Sequence, residues 1–207
     1  MADTARVPSQ SNVSRESLAR IEIYVSLLIT WQRQVNLVGP STLNNIWSRH
    51  IVDSLQLLPL LPKSAQLIAD LGSGAGLPGL VLAMAGNFRA HLYESNQRKA
   101  AFLREAIRKT GTDAVVYSIR IEDIPKIQDW PHADIVTARA LAPLDKLLSY
   151  AEPFLKAGAT GLFHKGKDFA AELTEATKYW RIKSVTHPSL TDSKSVILEV
   201  REAIRVE

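Results

Sequence analysis

Asp70-Leu71-Gly72-Ser73-Gly74-Ala75-Gly76-Leu77-Pro78-Gly79 joins an apolar run at 67–71 to a second one at 77–85. Read together, they form a strand, a tight turn and the start of a helix. Glycines let the backbone turn sharply and let a ligand approach the chain, and a proline suits a first helical turn because its missing N–H has no partner there. A phosphate-cradling loop would end in Gly-Lys-Ser/Thr, which is absent. Gly74, Gly76 and Gly79 match G-x-G-x-x-G, so a nicotinamide dinucleotide site and an oxidoreductase stay open. Glu94 follows Gly74 by 20 residues, at the end of the next predicted strand. A carboxylate there suits ribose hydroxyls of any nucleoside cofactor.

Outward from the turn, short apolar runs alternate with helical spacing: strands at 91–93, 114–117, 134–137 and 161–164, helices at 97–109, 144–155 and 168–179. This alternation predicts an α/β fold with a mostly parallel, doubly wound sheet. The final runs, 182–187 and 195–201, are joined by a short polar segment and must pair antiparallel, so the last strand is antiparallel. Upstream, Ser14 can cap a helix whose apolar face is Leu18, Ile21, Val25, Leu28, Trp31 and Val35. Ser41 can cap a second one carrying Leu43, Ile46, Trp47, Ile51, Leu55 and Leu58, ended by Pro59 and Pro62. The expected organisation is a loose tail at 1–13, a helical extension at 14–62 and a ligand-binding domain at 63–207.

With 207 residues, 46% of them hydrophobic, the chain can bury one substantial core. The absence of cysteine excludes disulfides, thiolate metal sites and cysteine nucleophiles. No apolar run is long enough to span a bilayer and no apolar leader opens the chain, so a cytoplasmic protein without membrane contact is expected. The net charge of +4 permits a phosphate-rich partner through local patches. Arg98, Lys99, Arg104, Arg108 and Lys109 make one such patch, Lys165 with Lys167 another, and Lys178 with Arg181 and Lys183 a third. Arg98, Lys99, Lys165 and Lys167 are the candidate substrate contacts. Trp31, Trp47, Trp130 and Trp180 are candidates for stacking on bases, although Trp31 and Trp47 lie on core-facing stripes.

The Asp70 start, D-x-G-x-G-x-G, resembles the first motif of S-adenosylmethionine methyltransferases, in which the turn meets the methionine part and the carboxylate orients it. The resemblance extends along the chain. Asn36-Leu37, His50-Ile51-Val52-Asp53-Ser54-Leu55, Lys99-Ala100-Ala101-Phe102-Leu103, Arg120-Ile121-Glu122, Thr137-Ala138-Arg139-Ala140 and Lys165-Gly166 together resemble the RsmG methyltransferases, also called glucose-inhibited division protein B. What this implies is a Rossmann-like enzyme that methylates N7 of a guanine in 16S ribosomal RNA. S-adenosylmethionine is its implied cofactor, and the small ribosomal subunit or its RNA its partner.

The implied cofactor contacts are Asp70, Gly72, Gly74, Leu77, Glu94, Ile121, Glu122 and Arg139. Relatives often carry aspartate where this chain has Glu94. Arg139 binds cofactor, grips an RNA phosphate or makes a purely structural salt bridge, and Asp70 and Glu122 are placed to offset developing positive charge. Guanine N7 has a free lone pair and no proton, so positioning suffices and no residue acts as acid or base. His50 and Asp53 share a helix face without a third ligand, which argues against a metal and for a tie between the helical extension and the sheet domain, with a substrate-side role as the alternative. A monomer is expected. A non-catalytic RNA-binding assembly protein of the same fold remains the other alternative.

Overall fold

The computed structural model describes residues 13–126 and 132–206. Its centre is a seven-stranded sheet in the order β3-β2-β1-β4-β5-β7-β6. The strands are β1 (Leu67–Leu71), β2 (Arg89–Tyr93), β3 (Ala114–Tyr117), β4 (Ile135–Arg139), β5 (Thr160–Lys165), β6 (Trp180–Pro188) and β7 (Val196–Arg205). β1 to β5 run parallel, while β7 pairs antiparallel with both β5 and β6. The antiparallel last strand was predicted. Its place, inserted between β5 and β6 rather than at the sheet edge, was not. A register shift interrupts the β6–β7 ladder at Lys183 and Ser184.

Helices cover both faces, as parallel crossovers require. On one face lie α1 (Arg15–Gln32), α3 (Gly79–Ala85) and α4 (Gln97–Thr110), sharing a core of Ile21, Tyr24, Leu28, Leu80, Phe102 and Leu103. On the other lie α5 (Leu144–Lys156) and α6 (Phe169–Ala176), packed through Leu147, Leu148, Phe154 and Phe163. Ser14 caps α1, accepting from the Ser17 N–H at 3.1 Å, and Asn96 caps α4, accepting from the N–H groups of Arg98 and Lys99. Val13, expected in the loose tail, packs half-buried against this core. Residues 1–12 of that tail, and Trp130, lie outside the described residues.

The second predicted helix is the main departure. In place of one regular helix the chain makes a tight turn over Pro40–Asn45, a wide π turn over Trp47–Val52, one α turn, α2 (Asp53–Leu55), and a further tight turn over Leu58–Leu60. Ser41 caps nothing; the Thr42 hydroxyl instead bonds back to the Gly39 carbonyl at 2.7 Å. The wide turn follows from a tertiary demand, because the Arg49 carbonyl accepts from Arg139 of β4 at 3.1 Å.

The order of strands reverses between β1 and β4, and the glycine turn leaves β1 at that point. Gly79 opens α3 directly against β1: a Cβ there would stand 2.5 Å from the Cβ of Asp70. Only glycine lets helix and strand come this close. Replacing it, Gly79→Ala, should cost about 1–3 kcal/mol through overpacking and lower Tm by several degrees in a thermal unfolding experiment, although the residue touches no ligand.

Candidate active site

The turn after β1 is held from three directions. Its Ser73 N–H donates to the Tyr93 carbonyl at the end of β2, at 3.0 Å, and the Ser73 hydroxyl to the Asp70 carbonyl. Glu94 is buried; its Oε2 accepts from the Gly74 N–H at 2.8 Å and its Oε1 from the Asn96 N–H at 2.7 Å. From the helical extension, the fully buried Tyr24 donates its hydroxyl to the Ala75 carbonyl at 2.7 Å. At Gly74, φ is +55° and the nearest atom to an added Cβ is 3.8 Å away. A side chain there would be both strained and aimed into open space.

That space is a cleft at the carboxyl ends of the strands, where open α/β sheets bind ligands. It has two lobes that share Gly72, Gly74, Lys99, Ala140 and Leu141. The narrower, of about 530 Å³, is lined by Tyr93, Glu94, Ile121, Glu122 and Tyr150. Its donor set fits a nucleoside. Glu94 retains lone pairs for hydroxyl groups, Ile121 offers an apolar wall, and the phenol oxygen of Tyr93 is buried without a hydrogen-bond partner. Glu122 accepts from the Tyr150 hydroxyl at 2.8 Å, and that contact, with a backbone N–H, holds its carboxyl below the ordinary range. Ala140 joins the lobes with φ +52°, a conformation that a non-glycine residue adopts only where its surroundings impose it.

The wider lobe, of about 780 Å³, is lined by Leu77, Thr42, Arg49, His50, Asp53, Arg139, His164 and the Thr191–Asp192 rim. A polar network runs along it. Arg139 donates through Nη1 to Asp53 Oδ2 at 3.0 Å and through Nη2 to His50 Nδ1 at 2.9 Å. Arginine has no acceptor, so His50 Nδ1 carries the lone pair and Nε2 the proton. That proton goes to the Thr42 oxygen at 2.7 Å, and Thr42 passes its own to the Gly39 carbonyl. Burial, with Arg139 beside it, pushes the His50 pKa down to about 4. Asp53 accepts in addition from Thr191 at 2.6 Å and from Gln56 at 2.8 Å. His164 donates Nε2–H to the Asp53 carbonyl at 2.9 Å, and its Nδ1 is buried and unpartnered.

Comparison with known proteins places this geometry. The family model described as GidB, rRNA small subunit methyltransferase G, matches residues 17–200. The chain belongs to this family. It is 50% identical over 197 residues to the ribosomal RNA small subunit methyltransferase G of Paramagnetospirillum magneticum, covering 95% of this chain and 94% of that one. In structure it is similar to cofactor-bound Rv0187 from MTB, with a TM-score of 0.59, 13% identity and coverage of 89% and 90%. It also resembles a ribosomal protein L11 methylase from Lactobacillus delbrueckii subsp. bulgaricus, with a TM-score of 0.55, 13% identity and coverage of 77% and 79%. The latter two likenesses concern the fold alone. The oxidoreductase reading left open by the glycine spacing finds no support here.

Within this family member, most of the sequence-predicted residues meet at the cleft, and two do not behave as expected. Gly72, Gly74, Leu77, Glu94, Ile121, Glu122 and Arg139 all line it. Asp70 does not. Its carboxylate is fully buried beneath the turn, with Oδ1 accepting from Thr137 at 2.7 Å and Oδ2 unpartnered. Burial raises its pKa to about 6 against the pull of the Thr137 and Ser73 hydroxyls. Lys165, expected to contact substrate, is 6% exposed; its ammonium pairs with Glu172 and donates to the Ala142 carbonyl at 3.1 Å. Glu172 also accepts from the Leu144 N–H, so this ion pair anchors the start of α5.

Arg98 and Lys167 are exposed, and Lys99 is half-buried at the junction of the lobes. Trp31 packs edge-on against Phe102, and Trp180 is buried with its indole N–H on Asp145, so neither is free to stack on a base. No group of three or more histidines or acids able to hold a metal occurs among the described residues. Nor is any described helix long and apolar enough to cross a membrane. Sequence reasoning passed over Tyr24, Gln56, Thr42 and the Thr191–Asp192 segment. Tyr24 had a signal, since it shares the helical face of Ile21 and Leu28; Gln56 stands three residues from Asp53, whose carboxylate it bonds, and Thr42 and the Thr191–Asp192 segment join the cleft only through space.

The two shifted groups make opposite pH dependences. Asp70 rises from 3.8 to about 6, so the folded chain holds an extra proton between those values and stability falls as pH rises through them. His50 drops from 6.5 to about 4, so its contribution is complete above 6.5 and is lost as pH falls toward 4. The Asp70→Asn variant removes only the first effect. Its stability in urea unfolding should gain on that of the parent by about 1.4 kcal/mol per pH unit between pH 4 and 6, whereas a constant difference would contradict a buried, proton-binding Asp70.

Proposed function

We propose that this chain moves the methyl group of S-adenosylmethionine to N7 of a guanine in 16S ribosomal RNA, in the cytoplasm, on the small ribosomal subunit or its RNA. When bound, the cofactor supplies an electrophilic methyl on a positively charged sulfonium. Gly72, Gly74 and Leu77 form the wall against which it lies, Glu94 accepts from its ribose, and Ile121 and Glu122 flank its base. Arg139 closes the junction from the side of the wider lobe. Asp70 acts from beneath the turn: ionised above pH 6, it places negative charge close under a cationic ligand.

The observation that carries the choice of N7 is that the buried groups of the wider lobe that could take a proton are occupied, while Asp192, the remaining carboxylate of its lining, sits at the exposed rim and is paired with Arg49. The His50 lone pair holds Arg139, the only lone pair of His164 is buried, and Asp53 and Glu172 each accept from two or more donors. Methylating a ribose hydroxyl, an exocyclic amine or a guanine N1 releases a proton in the act, and calls for a base. Guanine N7 has a bare lone pair and calls for positioning alone, which can lower a barrier by roughly 7–11 kcal/mol. Arg98, Lys99 and Lys167 are proposed to meet RNA phosphates around the opening; Lys165, neutralised by Glu172, is not.

Transfer of labelled methyl from S-adenosylmethionine to small-subunit particles lacking the modification tests the assignment. Gly74→Asp fills the shared wall, and Arg139→Ala removes the bridge to His50 and Asp53. Each should reduce transfer about 100-fold or more, the scale of an ångström of misplacement, with the product mapped to guanine N7. No transfer by the parent would leave an RNA-binding assembly role, and transfer undiminished in both variants would displace the site.

A further inference from the structure

An enzyme that methylates guanine N7 cannot recognise guanine in the usual way. The commonest contact, an arginine fork on O6 and N7, covers the atom that must react. Recognition then has to come from the opposite edge, where N1–H and the N2 amino group present two adjacent donors. An ionised carboxylate accepts both, and no other RNA base offers that pair.

Three carboxylates line the wider lobe: Asp53, Glu172 and Asp192. The first two are consumed by the Arg139, Thr191 and Gln56 contacts and by Lys165 with the Leu144 N–H. Asp192 is different. Its carboxylate accepts from the Lys194 N–H at 3.0 Å and from the Ser195 hydroxyl, and its Oδ2 meets Arg49 across 3.4 Å, a partly exposed pair with 46% and 32% of the two side chains accessible. A pair so long and so wet contributes little and is readily exchanged for a ligand. Arg49 pairs with it and Arg139 lines the same lobe, a setting suited to an RNA backbone, in which an exposed carboxylate repels phosphate unless it has donors to receive. The segment that carries it is rigidly mounted. The Leu190 N–H donates to Gln56 at 2.8 Å, Thr191 to Asp53 at 2.6 Å, and the Ser189 and Ser195 backbones close on each other at 3.1 Å.

We infer that Asp192 is the specificity-determining residue of the acceptor lobe, accepting N1–H and N2–H of the target guanine and so turning N7 toward the glycine wall. This rests on the guanine-N7 reading above. It gives the 189–195 segment, which no part of the cofactor site uses, a role on the substrate side.

The test is a cycle of two changes, one in the protein and one in the RNA. Small-subunit particles are reconstituted with guanosine or inosine at the target; inosine keeps N7, O6 and N1–H and lacks only the N2 amino group. Asp192→Asn keeps the Lys194 contact and removes the charge. The parent enzyme should lose about tenfold or more in kcat/KM on inosine, the scale of one missing base contact. The variant should lose a similar factor on guanosine, and less than about threefold further on inosine, with S-adenosylmethionine affinity unchanged. Multiplying losses, full activity of Asp192→Asn on guanosine, or loss of cofactor affinity in that variant would each overturn the assignment of Asp192. Failure of the parent to methylate N7 in either RNA would instead bring down the reading on which it rests.

Discussion

The site depends on a short stretch of backbone being held still without side chains of its own. Gly72 to Gly76 must expose bare peptide to a ligand, so neighbours supply its rigidity: Glu94 from beyond β2, Tyr24 from α1 and Asp70 from below. Each neighbour is buried, and each makes a hydrogen bond in a setting where leaving it unmade costs about 1–3 kcal/mol. The N-terminal helix is thereby part of the proposed cofactor site, although it lines neither lobe of the cleft. Its tyrosine reaches across the core to a carbonyl of the turn.

A second consequence concerns charge. Burying Asp70 without a full set of partners is unfavourable to stability, as its raised pKa records. Stability alone would select a neutral residue there. Burying Arg139 is made tolerable differently, by Asp53, the Arg49 carbonyl and a neutral His50 locked in one tautomer. The wide turn at Trp47–Val52 is the backbone's adjustment to that arginine, which is why a regular helix does not form where the apolar spacing alone would allow one.

These particulars explain what could be read from the chain. The glycine turn, the alternation of strands and helices, and Glu94 at 20 residues from Gly74 are local patterns, and local patterns survive folding. Ser14 as a cap belongs to the same class. Lys165 misled because a charge in a sequence carries no record of its partner, and Glu172 lies one helix away. The position of β7 was hidden because a short connection dictates antiparallel pairing yet not which of the two strands lies beside β5. Thr42 and Thr191 reach the cleft by contacts with His50 and Asp53, and no spacing rule encodes those.

The insertion of β7 leaves β6 as the outer margin of the sheet, with one side of its backbone lacking a strand neighbour among the described residues. Such a ribbon invites another molecule to zip onto it. Here the irregularity at Lys183 and Ser184 kinks the ribbon, Arg181 and Lys183 add like charge along it, and Pro188 removes a donor at its end. Two copies meeting margin to margin would have to desolvate matched cations over a bent template, which disfavours pairing of the sheet with itself.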